Sequence, residues 1–107
     1  MARVVRVEVD PGICGFPCAI EAQQTGRRHV SIKITGSECE HIKRLSGAVK
    51  EMSLKDLFKP MTKNPAVVSA QQSGCHPSCP VPTAVLKAVE VAMEMALPQN
   101  VTIEFKS

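Results

Sequence analysis

The sequence predicts an α+β fold in which helices pack on one face of a mainly antiparallel sheet. Three segments of alternating apolar and polar residues open the chain, and turn residues separate them, which is typical of an antiparallel meander. Helical patterns follow, and one more alternating segment closes the chain. With 107 residues, 44% of them hydrophobic, the chain is predicted to form a single domain over residues 1–107 with its own core.

The three N-terminal strands are predicted where every second residue is apolar, at 5–9, 16–22 and 30–34. The turn at residues 10–12 contains proline and glycine and ends the first strand. Thr25-Gly26 predicts a hairpin turn between the second and third strands. In this register Cys18 lies on the inner, apolar side of the second strand.

Capping patterns predict where the first two helices begin. Ser37 followed by Glu40 is typical of a capping box, in which side chains and backbone amides at a helix start bond reciprocally. Ser53 followed by Asp56 repeats the pattern before a short helix. Residues 66–70 fit either a short strand or a helix, and two consecutive valines favour the strand.

The strongest helical pattern covers residues 83–97, where the polar side chains form one narrow stripe. The residues of that stripe are Thr83, Lys87, Glu90 and Glu94. Because the rest of the helix is apolar, we expect either helix-on-helix packing inside a monomer or an apolar flank that contacts a second copy or another protein. Pro98 ends the helix, and the alternating residues 101–105 predict a C-terminal strand that joins the sheet.

Charge and composition exclude several classes of partner. The formal net charge is +3, and the chain has three phenylalanines but no tryptophan or tyrosine, so it lacks the strong positive field and the stacking side chains of nucleic-acid-binding proteins. No apolar run approaches the roughly 20 residues that cross a membrane. Charged residues interrupt the apolar N-terminal stretch, so no signal peptide is expected and the cytoplasm is the predicted compartment.

Cysteine is the residue type that points to a function, since the chain contains five. An odd number in a chain without a signal peptide argues against a disulfide framework. Cys18 shares the inner face of its strand and is expected to be a buried thiol that binds no ligand. The other four, which we call the loop cysteines, lie in loops or at helix starts: Cys14, Cys39, Cys75 and Cys79.

The loop cysteines have surroundings that favour the thiolate form. Glycines next to Cys14 let backbone amides approach a ligand, and Cys39 is expected in the first turn of a helix, where the helix dipole favours negative charge. Zinc and iron–sulfur clusters bind sulfur as thiolate. We therefore predict that the loop cysteines bind zinc or an iron–sulfur cluster, with the sulfurs of Cys14, Cys39 and Cys79 close together at one end of the sheet.

Histidine is the other candidate ligand type. Cysteines lie on both sides of His76, which makes it a candidate ligand, whereas His29 and His41 are expected to face solvent. No constellation of acid and base residues accompanies the thiols, so a binding role is favoured over catalysis. Two alternatives remain open: a thiol-dependent redox enzyme with Cys39 or Cys79 as its nucleophile, and a non-catalytic subunit that docks on a larger complex.

Two resemblances accompany these residues. GICGF near the start, SECEH at the first helix and CPVPTAVLKAVEVA at the last helix resemble a small family of uncharacterised prokaryotic proteins. The layout of Cys14-Gly15, Cys39 and Cys79 is similar to the three cysteines of the NifU N-terminal-like iron–sulfur cluster assembly scaffolds. That resemblance implies a zinc or [2Fe–2S] site, with Cys75 or His76 as the fourth ligand and a role in cluster or metal assembly or transfer.

Overall fold

A computed structural model describes residues 4–14 and 16–107, and for Cys14 it describes the backbone only. The elements follow the chain in the order β1 (Val4–Val9), β2 (Cys18–Gly26), β3 (His29–Thr35), α1 (Glu40–Ala48), β4 (Glu51–Ser53), α2 (Leu54–Leu57), α3 (Pro65–Gln72) and α4 (Val81–Ala92). A short 3-10 helix, Gly12–Cys14, lies between β1 and β2. The predicted α+β class is confirmed.

The four strands form one sheet in the order β1-β2-β3-β4, and every neighbouring pair is antiparallel. Val7 lies opposite Ile20, and Ile20 lies opposite Ile34, so the alternating apolar residues of the predicted meander share one face. A register shift between Gln24 and Gly26 places the turn of the second hairpin at 27–28. The turn therefore lies slightly beyond the predicted Thr25-Gly26.

The core lies between the inner face of this sheet and the helices. Ile20, Val30 and Leu45 have no exposed surface, and α4 packs across β1, β2 and β3 while α1 packs on β3. The outer face of the sheet is polar and includes an ion pair from Arg6 to Glu21 at 3.0 Å. The helices cover only the inner face, because the alternating strand residues are apolar on that face and polar on the other.

The fourth strand of the sheet is β4, which the sequence did not predict, and the predicted C-terminal strand at 101–105 is wrong. Residues 98–107 have no regular secondary structure and are exposed throughout. The alternating pattern is present, but it has no hydrogen-bonding partner in the sheet. β4 has only three residues, too few for a pattern of alternation to be recognised.

The helix starts differ in how well capping patterns predicted them. The Ser53–Asp56 capping box is confirmed, with the Ser53 amide donating to Oδ2 of Asp56 at 3.0 Å. The capping box predicted from Ser37 and Glu40 is wrong, because the N-cap residue of α1 is Cys39. Ser37 Oγ instead accepts a hydrogen bond from the Cys39 amide at 3.1 Å, which fixes the turn that leads into the helix.

The strand favoured at residues 66–70 is wrong, since these residues belong to α3. Asn64 is its N-cap residue, and the Asn64 side chain accepts a hydrogen bond from the Ala66 amide at 3.0 Å. Pro65 occupies the first turn, where its missing N–H has no helical partner to lose. Asparagine followed by proline was the signal that outweighed the two valines.

α4 is shorter than the predicted helix over 83–97, because it ends at Ala92. Its inner side is buried as expected: Val85, Ala88 and Val89 have no exposed surface. Val91 is also buried, whereas Met95 is exposed, so the predicted apolar flank is divided between core and surface. Among the residues that the structure describes, no helix is long and apolar enough to cross a membrane.

Candidate functional site

Cys39 is positioned by the turn between β3 and α1. It is the N-cap residue of α1, and its carbonyl accepts the Lys43 amide at 2.9 Å. The side chain is half-buried and packs against the core. Because the next residues begin the helix, unpaired amides and the positive end of the helix dipole lie beside this thiol.

Cys75 is positioned by the end of α3. The Gly74 amide donates to the Gln71 carbonyl at 3.1 Å, and the Cys75 amide donates to the Ala70 carbonyl at 2.9 Å. These two bonds and the φ of 84° at Gly74 form a Schellman motif, which reverses the chain at a helix end. The motif turns Cys75 back toward α1, where its Sγ lies 4.0 Å from the His41 carbonyl.

Cys79 lies at the other end of the same loop, directly before α4. Its amide donates to the His76 carbonyl at 3.0 Å, which closes a tight turn over the intervening residues. Cys79 is half-buried and packs against the core, as Cys39 and Cys75 do. The loop between α3 and α4 therefore directs two thiols inward from its two ends.

Cys18 lies behind these thiols at the start of β2 and is 6% exposed. Burial raises the pKa of the Cys18 thiol, and negative charge on Cys79 and Cys39 raises that pKa further. The prediction that Cys18 is buried is confirmed. The thiols of Cys79 and Cys39 are therefore near enough for their charges to act on Cys18.

The pKa of Cys75 is raised to about 11. Burial is the largest cause, the charges of Cys79 and Cys39 add to it, and the nearby Arg44 guanidinium acts in the opposite direction. A negative charge on Cys79 or Cys39 therefore makes removal of the Cys75 proton harder. A positive ion among them would reverse that effect, because it favours the thiolate form at each sulfur.

Two histidines lie beside the thiols. His41, on α1, is half-buried, contrary to the expectation that it faces solvent, and its Nδ1 lies 3.2 Å from the Ser73 carbonyl oxygen. His76 is exposed in the loop, and its ring centroid lies 6.0 Å from that of His41, with the planes tilted by 48°. The site therefore combines thiols from three elements with imidazoles from a helix and a loop.

Of the predicted site residues, Cys39 and Cys79 lie close enough to Cys75 to raise the pKa of its thiol, and His76 is exposed in the loop that contains Cys75 and Cys79. The side chain of Cys14 lies outside the described part of the structure. Its backbone lies in the connection from β1 to β2, next to the sheet end where Val9 is opposite Cys18. Among the residues described, no three or more His, Cys, Asp or Glu side chains are arranged to hold a metal ion.

Sequence reasoning missed His41 and Arg44 as parts of this site. Arg44 donates from Nε to the Ser73 carbonyl at 3.1 Å, so it joins α1 to the end of α3. The sequence signal was the i,i+3 spacing, which places His41 and Arg44 on one side of α1. Their importance depends on the packing of α1 against α3, which no local pattern reveals.

Comparison with known proteins gives a family but no function. Residues 5–105 match the model of a family of unknown function, DUF6951, and the chain belongs to that family. No curated protein matches the sequence, and no solved structure matches it.

Proposed function

We propose that this member of the DUF6951 family is a small cytoplasmic protein that binds zinc or an iron–sulfur cluster through its loop cysteines. The observation that carries the proposal is that Cys39 and Cys79 act on the pKa of Cys18, at one end of the sheet, and on the pKa of Cys75, although Cys39 lies far from Cys75 and Cys79 in the chain. Cys14 follows β1 at the same end, and the proposal assigns it the remaining ligand position. His76 is the alternative to Cys75 in the ligand set.

The chemistry of the donor set supports a soft metal. Cys75, whose pKa is raised by burial and by the charges of Cys79 and Cys39, is a poor nucleophile near neutral pH, because the reactive form is the thiolate. The loop cysteines become stable as thiolates when a cation replaces their protons. Binding therefore releases protons and requires the described side chains to move closer together than they are without the metal.

The position of the site supports assembly or transfer of the metal or cluster. His76 is exposed and the three described thiols are half-buried, so a partner could reach a metal bound at this end of the sheet.

The test is metal content measured by elemental analysis, with a visible spectrum, on anaerobically purified protein. Wild type should retain zinc or show cluster absorption, and Cys39→Ser and Cys79→Ser should each lower metal content at least about tenfold, a loss equivalent to about 1.4 kcal/mol or more of binding free energy. Competition with a chromophoric zinc chelator gives the affinity of each variant. Cys18→Ala is the matched control, since it removes a thiol that should bind no metal.

Cys18→Ala should keep the metal and lower the free energy of unfolding by about 1 kcal/mol through lost packing. Equal loss of metal in Cys18→Ala and Cys39→Ser would contradict the proposed ligand set. Wild type that neither retains metal nor binds added zinc would overturn the proposal. If such protein instead lost two titratable thiols on mild oxidation, a thiol-dependent redox function would take its place.

A further inference from the structure

The last part of the chain exposes apolar side chains in a strand-like pattern. Val101, Ile103 and Phe105 are 57%, 83% and 101% exposed, and they alternate with polar residues. Glu104 and Lys106 form an ion pair at 2.9 Å, which places these two polar side chains on the same side of the segment. We call residues 101–105 the tail segment.

The sheet has an edge of matching length. In the described part of the chain β1 pairs with β2 on one side and with no strand on the other, so the N–H and C=O groups of its outer edge have no partner strand. Val5 and Val7 on that edge are only half-buried. Unpaired edge strands are sites where another strand can add to the sheet.

We propose that the tail segment of one copy pairs antiparallel with β1 of a second copy, and that the exchange is reciprocal. With Ile103 opposite Val7, the segment's apolar side chains extend the inner face of the sheet. In the same register Glu104 lies opposite Arg6, whose side chain is 52% exposed, and cross-strand pairs of opposite charge stabilise a sheet. A two-fold symmetric exchange pairs both free edges and covers both tail segments.

The tail segment is less suited to pair with β1 of its own copy than with β1 of a second copy. α4 begins beside Cys79, whose charge reaches Cys18 at the β1–β2 end of the sheet, and its twelve residues, about 18 Å in length, pack mainly on β1 and β2. The tail therefore leaves the helix toward the Val4 end, and its own strand would run parallel to β1. Every other pair in this sheet is antiparallel, which is the slightly more stable arrangement.

Sedimentation velocity of the full chain over a concentration series tests the exchange. The backbone groups of Arg6 and Glu8 face the free edge, because those of Val7 bond to β2. Wild type should form a dimer, and Thr102→Pro should raise the dimer dissociation constant at least about tenfold, because Thr102 lies opposite Glu8 in the proposed register and proline removes its ladder hydrogen bond. Gln99→Pro is the matched control, since this exposed residue lies outside the tail segment and should leave the constant unchanged. Thermal unfolding followed by circular dichroism checks that both variants remain folded.

A charge exchange tests the register. Arg6→Glu should weaken the dimer severalfold by placing like charges opposite each other, and adding Glu104→Arg should restore it. Wild type that remains monomeric at the highest concentration, or a Thr102→Pro variant that dimerises like wild type, would overturn the proposal. Amide protection of the tail segment in a monomer would also overturn it, by showing that the strand adds to its own sheet.

Discussion

Arg44 holds the ring of His41 in one orientation, since its Nη2 lies 2.7 Å from Nδ1 of His41. A guanidinium group can only donate hydrogen bonds, so Nδ1 accepts and the proton of the neutral imidazole lies on Nε2. The carbonyl of Ser73, which also faces Nδ1, accepts from Nε of Arg44 instead. One arginine thus sets a histidine tautomer beside the thiols and fastens α1 to the end of α3.

Replacing Arg44 with alanine should lower the free energy of unfolding by about 1.5 kcal/mol, because the buried Ser73 loses the charged donor to its carbonyl. Urea unfolding measures this as a lower midpoint with an unchanged slope. Lys43→Ala is the control, because the Lys43 ammonium lies 3.6 Å from the Glu40 carboxylate at the surface and its side chain is 55% exposed. A loss of similar size in both variants would show that Arg44 has no special role.

Replacing Gly74 and Gly47 with alanine should change the free energy of unfolding in opposite directions. At Gly74 a Cβ atom would lie 2.9 Å from Nδ1 of His41, and φ is 84°, so Gly74→Ala should destabilise the protein by about 2 kcal/mol. At Gly47, an exposed position in α1, a Cβ would meet nothing within 4 Å. Gly47→Ala should stabilise by about 0.5–1 kcal/mol. Thermal and urea unfolding of both variants gives the comparison, and equal signs would contradict it.

Cys75 should make the metal-free protein less stable at alkaline pH. The pKa of Cys75 is about 11 in the folded protein against 9.0 for an unperturbed cysteine thiol. Between these values the folded state therefore binds more protons than the unfolded state. Stability is therefore unaffected by this group below about pH 9 and falls as the pH rises toward about 11. Comparing urea unfolding of wild type and Cys75→Ser across that range isolates the contribution of this thiol.

Alkylation gives a direct check on the same thiol. In native, metal-free protein the iodoacetamide reaction of Cys75, followed by mass spectrometry of the peptide, should have its midpoint near pH 11. In concentrated urea the midpoint should return to about 9.0. A native midpoint near the unfolded value would show that burial and the neighbouring thiols do not act on Cys75.

Glycine at position 94, just beyond the end of α4, should give a more stable protein than the natural Glu94. The Glu94 amide donates to the Val91 carbonyl at 3.0 Å and the Met95 amide donates to the Glu90 carbonyl at 2.8 Å. This is a Schellman motif in which a non-glycine residue adopts φ 61°. Glu94→Gly should therefore raise the free energy of unfolding by about 1 kcal/mol, whereas Glu94→Gln should leave it within about 0.5 kcal/mol. Destabilisation by glycine would exclude backbone strain at this residue.

Capping patterns predicted a helix start correctly at Ser53 and incorrectly at Ser37. The prediction failed at Ser37 because another backbone amide lay close to its hydroxyl. Ser53 and Asp56 cap α2 as predicted, because their side chains reach each other's backbone whatever surrounds them. Ser37 caps the preceding turn instead of α1, since a serine hydroxyl can accept from more than one nearby amide. Local patterns therefore predict that a helix begins here, but only the folded chain chooses the residue.

By itself, the sequence determined the α+β class, the inner face of the meander and the burial of Cys18, because each depends on the spacing of apolar residues along one strand or helix. Only the tertiary structure decided that β4 completes the sheet and that 101–105 stays outside it. The same is true of His41 and Arg44, which meet Ser73 across the contact of α1 with α3. Such pairings depend on where distant segments come together in space, and a local pattern contains no information on that distance.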